Sequence, residues 1–348
     1  MRVAFISRAT LYSSPGGDTR QMEQTALHLQ KLGVDADIYL ADQSIEYSKY
    51  DLLHFFNIIR PADMIRHIEI SAKPYVVSTI FVDYKDSRDK LSTLKSEYLK
   101  VLARAVKNNE RVVSRQYLWW GHNRSVRYVA EHAGCLLPNS ESEFNRLVAA
   151  YGISSDHIVV PNGIDIEMLR KTYPSNDTYK DAIICMGRIE PRKNQLNLIR
   201  ALNGTVYRLY IHGKPSPNHG AYYRQCLAEA KNNVVLCDWL EDDTLYSVYN
   251  AARVHVLPSY FETTGLSTLE AAAMGCNIVI TDKGDTREYF GASAWYCEPD
   301  NIASIRAAVD DAYVAPYNTG FRQYILDNYT WQRAAEKTLE AYYHVLNR

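Results

Sequence analysis

Val254-His255-Val256-Leu257-Pro258-Ser259-Tyr260-Phe261-Glu262-Thr263-Thr264-Gly265-Leu266-Ser267-Thr268-Leu269-Glu270-Ala271-Ala272-Ala273-Met274-Gly275 reads as a strand, a loop and a helix. The apolar run Val254–Leu257 stops at Pro258, which removes a ladder donor. A helix of strong formers then begins near Thr264, and Gly275 closes it. Its first turn presents backbone N–H groups without intrahelical partners at the positive end of the helix dipole, a ready site for a phosphate.

The same rhythm extends in both directions and predicts an α/β chain with parallel sheets. Strand candidates in the first half are Val3–Ser7, Ala36–Leu40, Asp51–Phe55, Tyr75–Thr79, Cys135–Pro138 and Ile158–Val160. A helix from about Thr19 to Leu32 follows the first of them and stops at Gly33. The second half restarts with Ala182–Met186, Tyr207–His212, Val234–Leu236, Val254–Leu257, Asn277–Thr281 and Ala294–Cys297, and helical patterns run from about Tyr317 to the last residue. At 348 residues, two domains are expected. The polar stretch Lys171–Asp177 reads as a linker, and a cleft between two such sheets is where small ligands tend to bind.

Composition excludes several classes. A formal net charge of -1 lacks the basic footprint of a nucleic-acid binder. The six cysteines have no C-x-x-C pair or metal spacing, which suits reduced, buried thiols in a reducing compartment. Met1–Ser7 reads as a first strand, Arg8 interrupts it, and no apolar run reaches membrane-spanning length. A cytoplasmic protein is expected.

Four loops carry candidate chemistry. Glu262 and Glu270 are eight residues apart, about 12 Å along a helix. That exceeds the roughly 5–10 Å at which two carboxylates share one glycosidic bond. It suits a longer ligand such as a nucleotide sugar; two surface glutamates are the plainer alternative. Gly187-Arg188-Ile189-Glu190-Pro191-Arg192-Lys193 follows the first strand of the second half, and its cations form a natural diphosphate clamp. Ser14-Pro15-Gly16-Gly17-Asp18-Thr19 lets backbone approach a phosphate, or is simply a tight turn; it lacks the dinucleotide spacing, so a dehydrogenase is not supported. Gly284-Asp285-Thr286-Arg287-Glu288 reads as a helix cap or a further site loop. The one D-x-D match, Asp35-Ala36-Asp37, opens a strand, so a metal-independent site is expected.

Together these residues resemble the retaining glycosyltransferases of family four, which have the GT-B fold: two Rossmann-like domains facing across a cleft. The likeness covers most of the chain. It is strongest from Val160 to Pro299, through Pro161-Asn162-Gly163-Ile164-Asp165, Gly187-Arg188 with Lys193-Asn194, and Pro258-Ser259 with Glu262 and Glu270. The resemblance implies an acceptor-side domain at 1–165, a nucleotide-sugar domain at 166–328 and a terminal helix, 329–348, crossing back to the first domain. It implies a hexose moved from a UDP- or GDP-linked donor to a glycan or lipid-linked saccharide, with no cofactor or metal. Arg188 and Lys193 would bind the diphosphate, Glu262 the transferred sugar and Glu270 the ribose. Thr264, Gly265 and Leu266 would offer N–H groups, Gly187 would shape the cationic loop, and Gly16 and Gly17 would close over the donor.

One departure concerns the acceptor side. Many relatives carry a histidine in a loop after an N-terminal strand, whereas the corresponding Ser78-Thr79-Ile80-Phe81-Val82-Asp83-Tyr84 has none. Asp83 either supplies a polar catalytic group there or caps a helix. The stretch 95–127 interleaves eight basic residues with Tyr98, Tyr117, Trp119 and Trp120. It reads as a solvated helix face or as a dock for an anionic acceptor or the inner membrane face. A sugar-nucleotide epimerase and a catalytically silent sugar-nucleotide-binding protein are the competing readings.

Overall fold

A computed structural model describes residues 1–13, 15–82, 115–174 and 176–348. They form two compact units, Met1–Asn162 with Trp331–Arg348, and Gly163–Thr330.

The first unit is a parallel sheet of β1 (Arg2–Ser7), β2 (Asp35–Leu40), β3 (Leu52–Phe56), β4 (Tyr75–Ser78) and β5 (Cys135–Leu137), in the order β2-β1-β3-β4-β5. Its helices include α1 (Gly17–Lys31), α2 (Ala62–Ser71), α3 (Arg115–Glu131) and α4 (Glu141–Tyr151). Every residue of β3 is buried, as expected of a strand covered on both faces. Successive side chains point to opposite faces. Leu53 and Phe55 accordingly join Ile65, Val126 and Leu147 in one core, while His54 and Phe56 pack with Phe5 on the other side. His54 is fully buried, and burial lowers its pKa to about 3, so it stays neutral. Its Nδ1 lies 2.7 Å from the Tyr342 hydroxyl and its Nε2 2.9 Å from Ser78 Oγ. Tyr342 belongs to the terminal helix Trp331–Leu346, which this buried network ties to the first sheet.

The second unit is a six-stranded parallel sheet. Its strands are β6 (Ile183–Met186), β7 (Leu209–His212), β8 (Val234–Cys237), β9 (Val254–Leu257), β10 (Asn277–Thr281) and β11 (Trp295–Cys297), ordered β11-β10-β9-β6-β7-β8. In chain order its helices are α5 (Ile166–Arg170), α6 (Gln195–Leu202), α7 (Gly220–Glu229), α8 (Asp242–Ala251), α9 (Leu266–Met274), α10 (Thr286–Phe290), α11 (Ile302–Val314) and α12 (Thr319–Asn328); the terminal helix is α13. Side-chain caps start several of them: Asp165 on α5, Asn301 on α11 and Asn318 on α12 each accept a backbone N–H of the first turn.

Two expectations are corrected. Ile158–Val160 is not a strand: the Ile158 and Val160 amides reach the carbonyls of Leu136 and Pro138, but only a single bridge, Leu136 to His157, forms beside β5. The stretch from Lys171 to Pro174 is not a loose linker but part of the second unit. Tyr173 stacks on Tyr246 at 5.7 Å and donates to the Met168 carbonyl at 2.7 Å, while Lys171 meets Asp243 at 2.8 Å. Apolar ring surface outweighs the polar composition that suggested an exposed connection.

The basic aromatic stretch is described only from residue 115 onward; residues 95–114 and Asp83 lie outside the described residues. Within α3, Trp119 is 88% exposed, Arg124 lies over the Trp120 ring, and Arg127 pairs with Glu131. None of the six cysteines is disulfide-bonded, and all but Cys237 are buried. Among the described residues no helix is long and apolar enough to cross a membrane.

Candidate functional site

The strand order of the second unit places its site. From β6 the chain moves outward to β7, and from β9 it moves the other way to β10, so β6 and β9 are neighbours whose connections diverge. In an open α/β sheet the loops at such a switch point, beyond the carboxyl ends of the strands, are where ligands bind. Here they are Gly187–Asn194 after β6 and Pro258–Gly265 after β9, the two segments singled out in the sequence.

The two loops are stitched together by charge. Lys193 Nζ donates to Glu262 Oε1 at 2.7 Å, and both side chains are nearly buried. Arg192 lies between them, donating to the Phe261 carbonyl at 2.9 Å and to Glu190 Oε1 at 3.1 Å, and standing 3.6 Å from Glu262 Oε1. The Tyr260 amide donates to the Arg192 carbonyl, and Asn194 Nδ2 spans the carbonyls of Pro258 and Pro299. Burial opposes ionisation of Glu262, but Lys193 and Arg192 outweigh it and hold the carboxyl below its ordinary value. Burial pulls the Lys193 ammonium down; Glu262 offsets this in part, while Arg192 adds to it. The asymmetry is one of number: the carboxylate faces two cations, and the ammonium has one close carboxylate and a cationic neighbour.

Two glycines permit the close approach. A Cβ on Gly284 would lie 2.0 Å from the Glu262 carbonyl oxygen, where a β-bridge joins the two residues. The Asp285 amide donates to that same carbonyl at 2.9 Å. A Cβ on Gly213 would lie 1.9 Å from the Gly187 oxygen, so a side chain at 213 would push the cationic loop off its strand.

Helix α9 starts four residues after Glu262. Gly265 is its N-cap with φ of 71°, Thr264 is buried beside it, and Leu266 is the first helical residue. The amides of Thr268 and Leu269 return to the Gly265 carbonyl, and Ser267 Oγ donates to the Met186 carbonyl at 3.1 Å, pinning the helix start to the end of β6. One turn on, Glu270 accepts from the Tyr249 hydroxyl at 3.4 Å.

The second unit thus brings Gly187, Arg188, Lys193, Glu262, Thr264, Gly265, Leu266 and Glu270 onto one end of one sheet. Gly16 and Gly17 belong to the first unit, where the Gly16 amide donates to Thr19 Oγ1 at the start of α1. Sequence reasoning did not assign three groups here. Glu190 is buried and engages Arg192, Ser216 and Arg188. Tyr249 is buried behind Glu270. His255 is fully buried in β9 with neither ring nitrogen hydrogen-bonded, and burial, reinforced by Lys193, lowers its pKa to about 3. The Glu190 signal was present as an acid inside a basic loop; Tyr249 and His255 sit in ordinary apolar patterns and gave none. A surface cavity lined by Leu169, Lys171, Asn250, Met274 and Arg322 shares no residue with this cluster.

Comparison with known proteins agrees with this architecture. Residues 180–314 match the family model described as Glycosyl transferases group 1. A D-inositol 3-phosphate glycosyltransferase of Pseudarthrobacter chlorophenolicus is 28% identical over 250 residues, 64% of this chain and 60% of that protein. The chain spans about three fifths of the length of the first curated relatives it matches. Among solved structures, sucrose-phosphate synthase of Thermosynechococcus elongatus superposes with a TM-score of 0.77 at 16% identity, covering 100% of this chain and 99% of that one. Anabaena HepE in complex with UDP-glucose superposes with a TM-score of 0.71 at 15% identity, covering 98% of each chain.

Proposed function

We propose, on the premise that the chain belongs to the GT-B glycosyltransferases, that it transfers a hexose from a UDP- or GDP-linked donor to a saccharide or lipid-linked acceptor. The observation that carries this reading is the buried Lys193–Glu262 pair, set between two strand ends and beside the N-terminus of α9. Backbone N–H groups of Thr264, Gly265 and Leu266 face a phosphate; Arg188 and Lys193 balance the diphosphate and stabilise the charge that grows on it as it leaves. Because these cations supply that positive charge, we read the reaction as metal-independent. Glu262 contacts the transferred sugar and Glu270 the ribose.

Retention follows from attack on the face the diphosphate leaves. The bond from the anomeric carbon to the phosphate oxygen breaks, and a bond to the acceptor oxygen forms. The acceptor proton passes to the departing phosphate, so no enzymic nucleophile is required. Gly16 and Gly17 are assigned to closing over the donor and Asp83 to the acceptor side. We place the reaction in surface polysaccharide or glycoconjugate assembly, in the cytoplasm, with residues 95–127 as the segment that meets an anionic membrane face. UDP-glucose in the HepE complex supports a uridine donor as the first to test.

A donor screen decides between this reading and its rivals. The protein is incubated with UDP- and GDP-sugars, with and without saccharide acceptors, and free nucleotide is measured. Acceptor-dependent release is expected. An interconverted sugar nucleotide without release means an epimerase, and binding without turnover means a silent binding protein.

A further inference from the structure

Three cations share the loop after β6, yet they are not equivalent, and Glu190 is what separates them. Its carboxylate is buried, and each oxygen has a hydrogen bond: Oε1 accepts from Arg192 at 3.1 Å and Oε2 from Ser216 Oγ at 2.6 Å. Arg188 comes no closer than 3.8 Å to Oε2, beyond hydrogen-bonding distance, and its side chain is 38% exposed. The backbone is tied at the same place: the Glu190 carbonyl accepts from the Lys193 amide, and that of its neighbour Ile189 from the Ser216 amide. Glu190 therefore joins the loop after β6 to the loop after β7, and through Arg192 to the Phe261 carbonyl in the loop after β9.

We propose that Glu190 is a positioning residue that sorts the two arginines, locking Arg192 into the scaffold and holding Arg188 by Coulomb attraction alone, its donors available for the donor diphosphate. This rests on the nucleotide-sugar reading above. The chemistry favours it over a plain structural pair. A carboxylate whose two oxygens are already engaged draws a further cation near without consuming its hydrogens. A guanidinium held that way is preorganised to meet two phosphate oxygens bidentately. Burial works against the Glu190 charge, but Arg192, Arg188 and Ser216 outweigh it, and its pKa lies below the ordinary carboxyl value.

The test is a double-mutant cycle read by calorimetric titration with UDP and with GDP, using the full chain. Arg188→Ala is expected to weaken binding of the preferred nucleotide about tenfold in the otherwise native protein, as for one lost charge-assisted contact. In a Glu190→Ala background, where Arg188 is no longer held, the same change should cost less than about threefold. Glu190→Gln keeps an acceptor for Arg192 and a partner for Ser216 but has no charge to draw Arg188, so it should abolish the coupling as Glu190→Ala does; it also serves if Glu190→Ala does not fold. Equal cost of Arg188→Ala in both backgrounds would overturn the assignment while leaving the donor site standing. A native protein that binds neither nucleotide would instead overturn the donor reading, and this inference with it.

Discussion

The loop after β1 and the loop after β6 occupy equivalent places: each follows the first strand of its unit and leads into a helix, and each lies where strand connections diverge. Their charge economies differ. In the first unit Arg8 is buried and engages Asp18 through two bonds, of 2.6 and 3.0 Å, and Thr10 through two more. This ion pair sets one cation against one carboxylate. In the second unit Arg188, Arg192 and Lys193 pair with Glu190 and Glu262, three cations to two carboxylates beside a helix start among the described residues. Topology offers both loops as ligand sites, and among the described residues the ion pairs of the second leave cations in excess of carboxylates.

The sharpest way to break this contrast is Glu262→Ala. It leaves the Lys193 ammonium buried without its close carboxylate, and unfolding by urea should show a loss of about 3–5 kcal/mol. Transfer should fall while nucleoside diphosphate binding largely survives; unchanged turnover would remove Glu262 from the sugar contact. The native pair also predicts an acid dependence. Because the Glu262 and Glu190 carboxyls are held below their ordinary 4.5, the stability they contribute is fully present above that value. It is lost as the pH falls through their lower folded values, and Glu262→Ala should flatten that part of the profile.

Asp18→Asn probes the balanced loop. It keeps the shape but removes the Asp18 charge from Arg8, and should cost about 2 kcal/mol of stability. UDP or GDP affinity should change by less than about threefold. If it weakens nucleotide binding as much as Arg188→Ala does, the first loop is an anion site too and the contrast fails. The smallest effect is expected for Tyr249→Phe, which removes the hydroxyl behind Glu270. The loss should be about 0.5–1 kcal/mol, seen as roughly two- to fivefold weaker donor binding with little change in turnover.

Much of this architecture is legible in the sequence because it depends on local chemistry. The run Val254–Leu257, the stop at Pro258 and the close at Gly275 define β9 and α9 without reference to the rest of the chain. The helix itself starts at Leu266, two residues after the expected Thr264, because Gly265 adopts a left-handed N-cap conformation. Ile158–Val160 was misread because a short apolar run suits a strand and an edge segment with a single bridge equally well. Lys171–Pro174 was misread because polarity records composition, whereas burial records the partner, here Tyr246.

The sequence by itself determined the two-part α/β pattern, the order of the motifs and the identity of the charged residues in each loop, since strand and helix periodicities and turn chemistry are local properties. Only the tertiary structure decided which charges meet. Lys193 and Glu262 are 69 residues apart, as are Arg192 and Phe261, and Glu190 and Ser216 are 26 apart. Parallel pairing of β6 with β9 and β7 brings these loops to one end of the sheet, and buried charges there must find partners. The arginine left over, Arg188, is a remainder of that pairing and cannot be read from any one segment.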